Sequence, residues 1–348
     1  IITLLFTGSF AAIAAPVPSP DGYMTINKTA KAVDGQPRTF EVELTVNGTL
    51  PTPKPLDVVI VIDRSSSMNN YIDSNRNGRK DSNEYSSLDY AKQAAKSFAQ
   101  QILDANSQNR IAVYDFNGPS SLGSYGNVDS NTRIRTTWTL SGRRSYKGFT
   151  NSISTVNSAI DGITASGGTN IQAGFLRAKR IIEGNEGEYG VTWFQARPSS
   201  QADRVVVLLT DGVATSSDRA GAGPNEPTSH NSHTRAAYEA GQSLHSLAKV
   251  FTIGLFSTIS NQQVRSVAED TLQRAQNAGC YITNAAPDLT GIYDQIYQNI
   301  NYYAANAIIT DVIDNRFELV PGSIVTKIGT QVVTTPAATY NPSTRTIT

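Results

Sequence analysis

Residues 58–62 read Val-Val-Ile-Val-Ile, an unbroken run of β-branched side chains. A strand with one wet face alternates polar and apolar residues, so a continuous apolar run belongs in a strand covered on both faces. Helices must then lie above and below it, and the chain downstream supplies them. The stripe Leu88, Ala91, Ala95, Phe98 and Ile102 predicts a helix, followed by a strand over Arg110–Phe116. A second stripe, Ile171, Phe175, Ala178 and Ile182, predicts a helix over 169–182, and 205–209 is another wholly apolar strand. A helix over 234–247, a strand over 250–255 and two helices between 260 and 300 complete the series. This alternation predicts a doubly wound, mostly parallel α/β sheet over 56–303.

The flanks follow a different pattern. Over 22–50 polar and apolar residues alternate, with Phe40, Val42, Leu44 and Val46 on one face and Asp34-Gly35 as a hairpin turn. Residues 51–55, Pro-Thr-Pro-Lys-Pro, form a stiff linker. The strand-like pattern returns over 305–348, so the α/β unit is expected as an insertion in a β-sandwich domain. Residues 1–15 are almost wholly apolar or small, with Ala12-Ile13-Ala14 as a small-x-small site and Pro16, Pro18 and Pro20 behind it. That pattern fits the end of an export signal better than a buried helix or strand, and it is too short for a membrane span. Residues 344–348 read as a strand cut midway, so a fragment of a longer exported protein is expected.

Composition removes several classes of function. The chain's 29 basic and 29 acidic side chains cancel, which argues against nucleic acid or an anionic membrane as partner. The apolar run at 1–15 is too short to span a membrane, so no direct membrane insertion of the mature chain is expected. Its one cysteine, Cys280, excludes an internal disulfide framework and any multi-cysteine zinc site.

Directly after the first buried strand comes Asp63-Arg64-Ser65-Ser66-Ser67. Ligands of open α/β sheets bind at the carboxyl ends of the strands, where this segment falls. One carboxylate and two hydroxyls at alternate positions suit a hard divalent cation, which prefers oxygen and keeps part of its water. Two later segments should reach the same edge: Ser166-Gly167-Gly168-Thr169-Asn170 before a helix, and Thr210-Asp211-Gly212 after the strand at 205–209. Any one of these motifs could be no more than a turn cap, since Asp and Ser often bond nearby amides; the three together are specific. A phosphoryl-accepting Asp63 would want a second carboxylate where Ser65 stands. Nor do His230, His233 and His245 show the pattern of a serine hydrolase. An enzyme is not expected.

These three blocks resemble the von Willebrand factor type A domain with its metal-ion-dependent adhesion site. The resemblance implies that Asp63, Ser65, Ser67, Thr169 and Asp211 hold a divalent cation, with Ser65 and Ser67 as direct ligands and both aspartates acting through water. Mg²⁺, Mn²⁺ and Ca²⁺ all accept that set. It also implies a coordination position open to an acidic oxygen of a ligand. Together with the flanks, which resemble the β-sandwich domains of sortase-assembled pilus proteins, it implies a secreted adhesin attached to a bacterial cell wall or pilus. Its partners would be other pilus subunits and a host or extracellular-matrix protein or glycan, met by loops 119–147 and 213–233. The alternative is a pilus or wall scaffold whose metal site only stabilises the fold.

Two further expectations stand apart. Asp73, Asn75, Asn77, Gly78, Asp81 and Glu84 match the spacing of an EF-hand calcium loop, though Lys80 stands where an apolar residue is usual and no ordinary helix precedes Asp73. A polar surface loop is the competing reading. In the flanks, the pilus-protein resemblance implies an isopeptide bond: Lys28 is the candidate amine (Lys31 competing), Asp311 the assisting acid, and the asparagine partner is expected beyond residue 348.

Overall fold

The computed structural model describes residues 2–7, 17–18, 24–48, 54–73, 77, 79–82, 84–119, 126–140, 144–185, 192–218, 226–285, 287–301, 310–328, 331–333 and 338–348. The chain divides into two units, Lys54–Asn301 being inserted between Ile1–Pro53 and Tyr302–Thr348.

The outer unit is all β. It opens with β1 (Ile2–Thr7), β2 (Val17–Pro18), β3 (Met24–Ala32) and β4 (Thr39–Gly48). β3 and β4 form the expected antiparallel hairpin, with Ala32 opposite Phe40 at its closed end. Residues 2–7 of the apolar run form β1, which pairs with β4, while residues 8–15 of it lie outside the described residues. The remaining strands of this unit lie after residue 310 and are taken up below.

In the inserted unit β5 (Leu56–Asp63) is buried at every position. Its alternate residues feed two cores. Val58, Ile60 and Ile62 face one side, and Val59 and Val61 the other. The first side is covered by α1 (Ser87–Ala105), α3 (Ile153–Asp161) and α7 (Asp288–Asn301), through Phe98 and Ile102, Val156 and Ile160, and Tyr293 and Ile296. The second is covered by α4 (Ile171–Glu183), α5 (Ser232–Gln242) and α6 (Gln262–Ala275), through Phe175 and Ile182, Ala237, and Val264 and Leu272. The other strands are β6 (Arg110–Phe116), β7 (Thr132–Ile134) after the short helix α2 (Val128–Asn131), β8 (Thr137–Leu140), β9 (Arg144–Gly148), β10 (Thr192–Phe194), β11 (Asp203–Thr210), β12 (Lys249–Leu255) and β13 (Gly279–Thr283). The central sheet runs β13-β12-β11-β5-β6-β7. All its pairs are parallel except β6 with β7. Strands β8, β9 and β10 make a small separate sheet.

Local chemistry sets the helix ends. Ser86 and Asp89 form a reciprocal cap that starts α1 one residue before Leu88. α4 begins at Ile171 rather than 169, because the Asn170 side chain accepts from the Ala173 N–H. α5 begins at Ser232 under the Asn231 cap and stops at Gln242, so the predicted extension to 247 is a run of turns. The sequence reading also passed over α3 and β13, the latter a partly exposed edge strand between two helices.

The outer unit resumes with β14 (Asp311–Val312), β15 (Glu318–Leu319), β16 (Val325–Ile328), β17 (Gln331–Val333), β18 (Tyr340–Asn341) and β19 (Thr346–Ile347). They complete one sheet, β17-β16-β1-β4-β3-β2 with β15 beside β1, and make a second, β14-β19-β18. Val42, Ile313 and Ile347 form a small core shared by the two sheets, the layering of a β-sandwich. Among the described residues no helix is long and apolar enough to cross a membrane.

Candidate functional site

β5 and β11 lie side by side, but the chain leaves β5 toward β6 on the far side of it. The strand order therefore reverses between β5 and β11, and a crevice opens at their carboxyl ends. Asp63 ends β5 and Asp211 directly follows β11. Both are buried, at 0% and 1% exposure.

Between them the chain folds into a single 3-10 turn, Ser66–Asn69, anchored by the buried Met68. The Ser65 N–H donates to Asp63 Oδ1 at 2.7 Å, and Thr210 Oγ1 donates to Asp63 Oδ2 at 2.5 Å. Ser65 Oγ and Ser67 Oγ stand 2.9 Å apart, and Ser67 Oγ donates to Asp211 Oδ1 at 2.7 Å. Thr169 arrives from the loop before α4. A Cβ placed on Gly212 would lie 3.7 Å from Thr169 Oγ1 and 3.9 Å from Ser67 Oγ, so the two hydroxyls border the same spot. All five predicted residues thus meet at one end of the sheet.

The second oxygen of Asp211, Oδ2, is buried without a hydrogen-bond partner. Burial raises the Asp211 carboxyl pKa well above its ordinary value, and the facing Asp63 charge raises it further. Burial raises Asp63 as well, against the hydrogen bonds from Thr210 and Ser65. Two carboxylates, one of them with an orphaned oxygen, and three hydroxyls are the hard-oxygen donor set a divalent cation takes. Among the described residues no three His, Cys, Asp or Glu side chains gather as a metal-binding group. Here the hydroxyls make up the set.

Residues 58–213 match the family profile of the von Willebrand factor type A domain. This chain carries a von Willebrand factor type A domain. Similar solved structures include the PilB minor pilin from Streptococcus sanguinis, with a TM-score of 0.50 and 11% identity over 88% of this chain and 80% of that one. The pilus adhesin SpaC from Lactobacillus rhamnosus GG, in its open conformation, gives 0.49 and 17% over 82% of this chain. The von Willebrand domain of the type V pili tip protein Mfa5 from Porphyromonas gingivalis gives 0.47 and 17%, over 72% of this chain and 96% of that one. At such identities the likeness shows the fold alone. The chain spans 35% of the length of SpaC. No curated protein matches it.

Around the site of this type A domain, three loops interlock through glycine. Gly118 and Gly168 exchange backbone hydrogen bonds, and a Cβ on Gly118 would fall 2.2 Å from Ser216 Oγ. Gly167 sits at φ +82° and offers its carbonyl to the Ser66 N–H at 2.8 Å. The sequence reading missed the polar scaffold behind them. Arg64, Asp115, Asn117 and Ser166 form a buried or half-buried network. Its legible signal was Asp115, a lone charge in the apolar strand Ile111–Phe116 that demands a partner. Ser217 and His233 are hydrogen bonded at 2.9 Å and buried, which ties the segment after Asp211 to α5.

Of the calcium-loop residues, Asn75 and Gly78 lie outside the described residues. Asp73 Oδ1 accepts from the Asn77 N–H, Asn77 Nδ2 donates to Asp81, and the Asp81 N–H donates to the buried Glu84. The ends of this loop are pinned where Tyr71 pairs with Ser86. In the outer unit Lys28 Nζ lies 2.8 Å from Asp311 Oδ1, while Asp311 Oδ2 is buried without a partner. The Lys28 side chain is 38% exposed, more open than the buried amine the resemblance implied.

Proposed function

We propose that the type A domain is a divalent-cation-dependent adhesion module of a pilus-associated or wall-associated surface protein. The observation that supports this most is Asp211 Oδ2, a buried carboxylate oxygen without a partner beside three converging hydroxyls. Ser65, Ser67 and Thr169 would hold Mg²⁺, Mn²⁺ or Ca²⁺, with Asp63 and Asp211 balancing its charge. The bound cation would supply an electrophilic position for an acidic oxygen of a protein or glycan ligand. Thr210 and the Ser65 N–H orient Asp63, and Ser67 orients Asp211, so the set is arranged before the cation arrives.

The similarity in fold to a minor pilin supports the setting on a pilus, with other subunits as partners. The neutral balance of charge agrees with adhesion through one coordinated oxygen rather than through a charged surface. The test is adhesion of cells or beads displaying the chain to matrix proteins and host-cell surfaces. Asp63→Ala and EDTA should each abolish it. Adhesion unchanged by both, with the domain still folded, would leave only the scaffold reading.

A further inference from the structure

We propose that Arg64, the residue between Asp63 and Ser65, is a positioning residue that locks the loop carrying Thr169 against the turn carrying Ser65 and Ser67. This rests on the cation reading of the site. The Arg64 side chain is only 3% exposed, and all three of its nitrogens are engaged. Nε donates to Asp115 Oδ1 at 2.9 Å, Nη1 to Ser166 Oγ at 2.9 Å and Nη2 to Asn117 Oδ1 at 2.8 Å. Asn117 Nδ2 then donates to the Ser166 carbonyl at 2.7 Å. Ser166 is therefore gripped by its hydroxyl and its carbonyl together.

The main chain at the same point repeats the connection. The Arg64 N–H donates to the Phe116 carbonyl at 2.8 Å, and the Arg64 carbonyl accepts from the Ser166 N–H at 2.7 Å. One residue thus joins the end of β5, the end of β6 and the loop that reaches Thr169 three residues later. Beyond that anchor the Gly167 carbonyl accepts from the Ser66 N–H, Gly168 pairs with Gly118, and the Thr169 N–H donates to Thr215 Oγ1. The Arg64 grip therefore fixes where the loop starts, and these bonds fix where it ends.

Energetics favour a role in positioning over one in stability. Taking a guanidinium out of water carries a large desolvation cost, and an apolar side chain of similar volume is often tolerated or better in such a place. Only arginine supplies a planar fork of donors that reaches three separate acceptors; lysine is a point donor that can keep Asp115 but not the other two directions.

The test uses Mn²⁺ alone as the probe, by calorimetry and by the Mn²⁺ electron spin resonance signal, beside thermal unfolding in EDTA. Residues that orient metal ligands typically change affinity by about 10–100-fold. Arg64→Lys and Ser166→Ala should each weaken Mn²⁺ binding by about 10-fold or more, and Ser166→Thr should restore most of it. Ser166→Ala leaves the Arg64–Asp115 pair in place, so it carries the test if Arg64→Lys does not fold. Affinity within about 3-fold of the unsubstituted chain for a folded Ser166→Ala would overturn the positioning role. An unsubstituted chain that binds no Mn²⁺ would overturn the cation reading and this inference with it.

Discussion

Replacing Asp211 by asparagine should make the metal-free domain more stable and the metal-loaded domain less so. Asp211 and Asp63 are buried together, and burial raises both carboxyl pKa values, Asp211 further through the charge of Asp63. A carboxyl whose folded pKa is raised holds its proton where the unfolded chain has already released it. The metal-free protein therefore loses stability as pH rises from about 4, the value for an unfolded aspartate, through the raised folded values. Asp211→Asn keeps the shape and the acceptor for Ser67 while removing one charge and the orphaned anionic oxygen. Leaving a buried polar group unpaired costs about 1–3 kcal/mol, and a charged one more. The substitution should then recover on the order of 1–3 kcal/mol at pH 8 and almost nothing at pH 4. In a domain of this size each kcal/mol moves Tm by about 2–4 °C, so a rise of roughly 2–12 °C is expected in EDTA at pH 8. Mn²⁺ at about 1,000 times its Kd would add about 4.1 kcal/mol to the unsubstituted chain and little to the variant, reversing their order. Thermal unfolding followed by circular dichroism at pH 4, 6 and 8, with EDTA and with Mn²⁺, reads all of this. A metal-free variant less stable than the parent at pH 8, or equal stabilisation of both by Mn²⁺, would refute the reasoning.

Three more outcomes are expected. At the opposite end of β5, Asp57 is buried and bonded to Arg110 and Arg197; burial works to raise its pKa, but those bonds outweigh it and hold the carboxyl below its usual range. Asp57→Ala leaves two half-buried cations without a counter-charge and should cost about 3–5 kcal/mol in urea unfolding, with Mn²⁺ affinity unchanged; a loss under about 1 kcal/mol would contradict this. We propose that Asp73, Asn75, Asn77, Asp81 and Glu84 bind a second cation, Ca²⁺. Calorimetry should then find one Ca²⁺ site fewer in the Asp73→Ala, Glu84→Ala double variant, and an unchanged count sinks that site. We also propose that Lys28 Nζ attacks an asparagine side-chain amide with Asp311 assisting, so that a new C–N bond forms, the amide C–N bond breaks and ammonia leaves. Intact-mass analysis of the complete domain should then show a shortfall of about 17 Da, while a full mass means no bond.

The α/β core was legible because its signals were long and redundant. The run 58–62 could sit nowhere but between two layers, and the stripe from Leu88 to Ile102 is buried throughout α1. The meeting of Asp63, Ser65, Ser67 and Asp211 was legible for another reason: the ends of adjacent parallel strands lie side by side, so motifs directly after β5 and β11 must meet. Thr169, by contrast, follows no strand and was marked by its Gly-Gly-Thr motif alone. What escaped was set by tertiary contact. Arg64 reads in sequence as a surface arginine in a polar turn; only the meeting of three loops turns it inward. α3 carries its apolar residues over just nine positions, too few for a clear period. β13 is an edge strand whose residues are mostly half-exposed, so it lacks the continuous apolar run that marked its neighbours. The segment 119–147, expected as a loop, contains α2, β7 and β8 with most of β9, the strands too short to stand without their pairing.

The central claim is that one divalent cation is held between the ends of β5 and β11. Anomalous diffraction from crystals of the chain grown with Mn²⁺ tests it most directly. A single strong peak should lie within ~2.0–2.6 Å of both Ser65 Oγ and Ser67 Oγ, the range of hard-cation oxygen ligands, and should vanish in Asp63→Ala crystals. Anomalous density absent from that crevice, or unchanged in Asp63→Ala, would contradict the account.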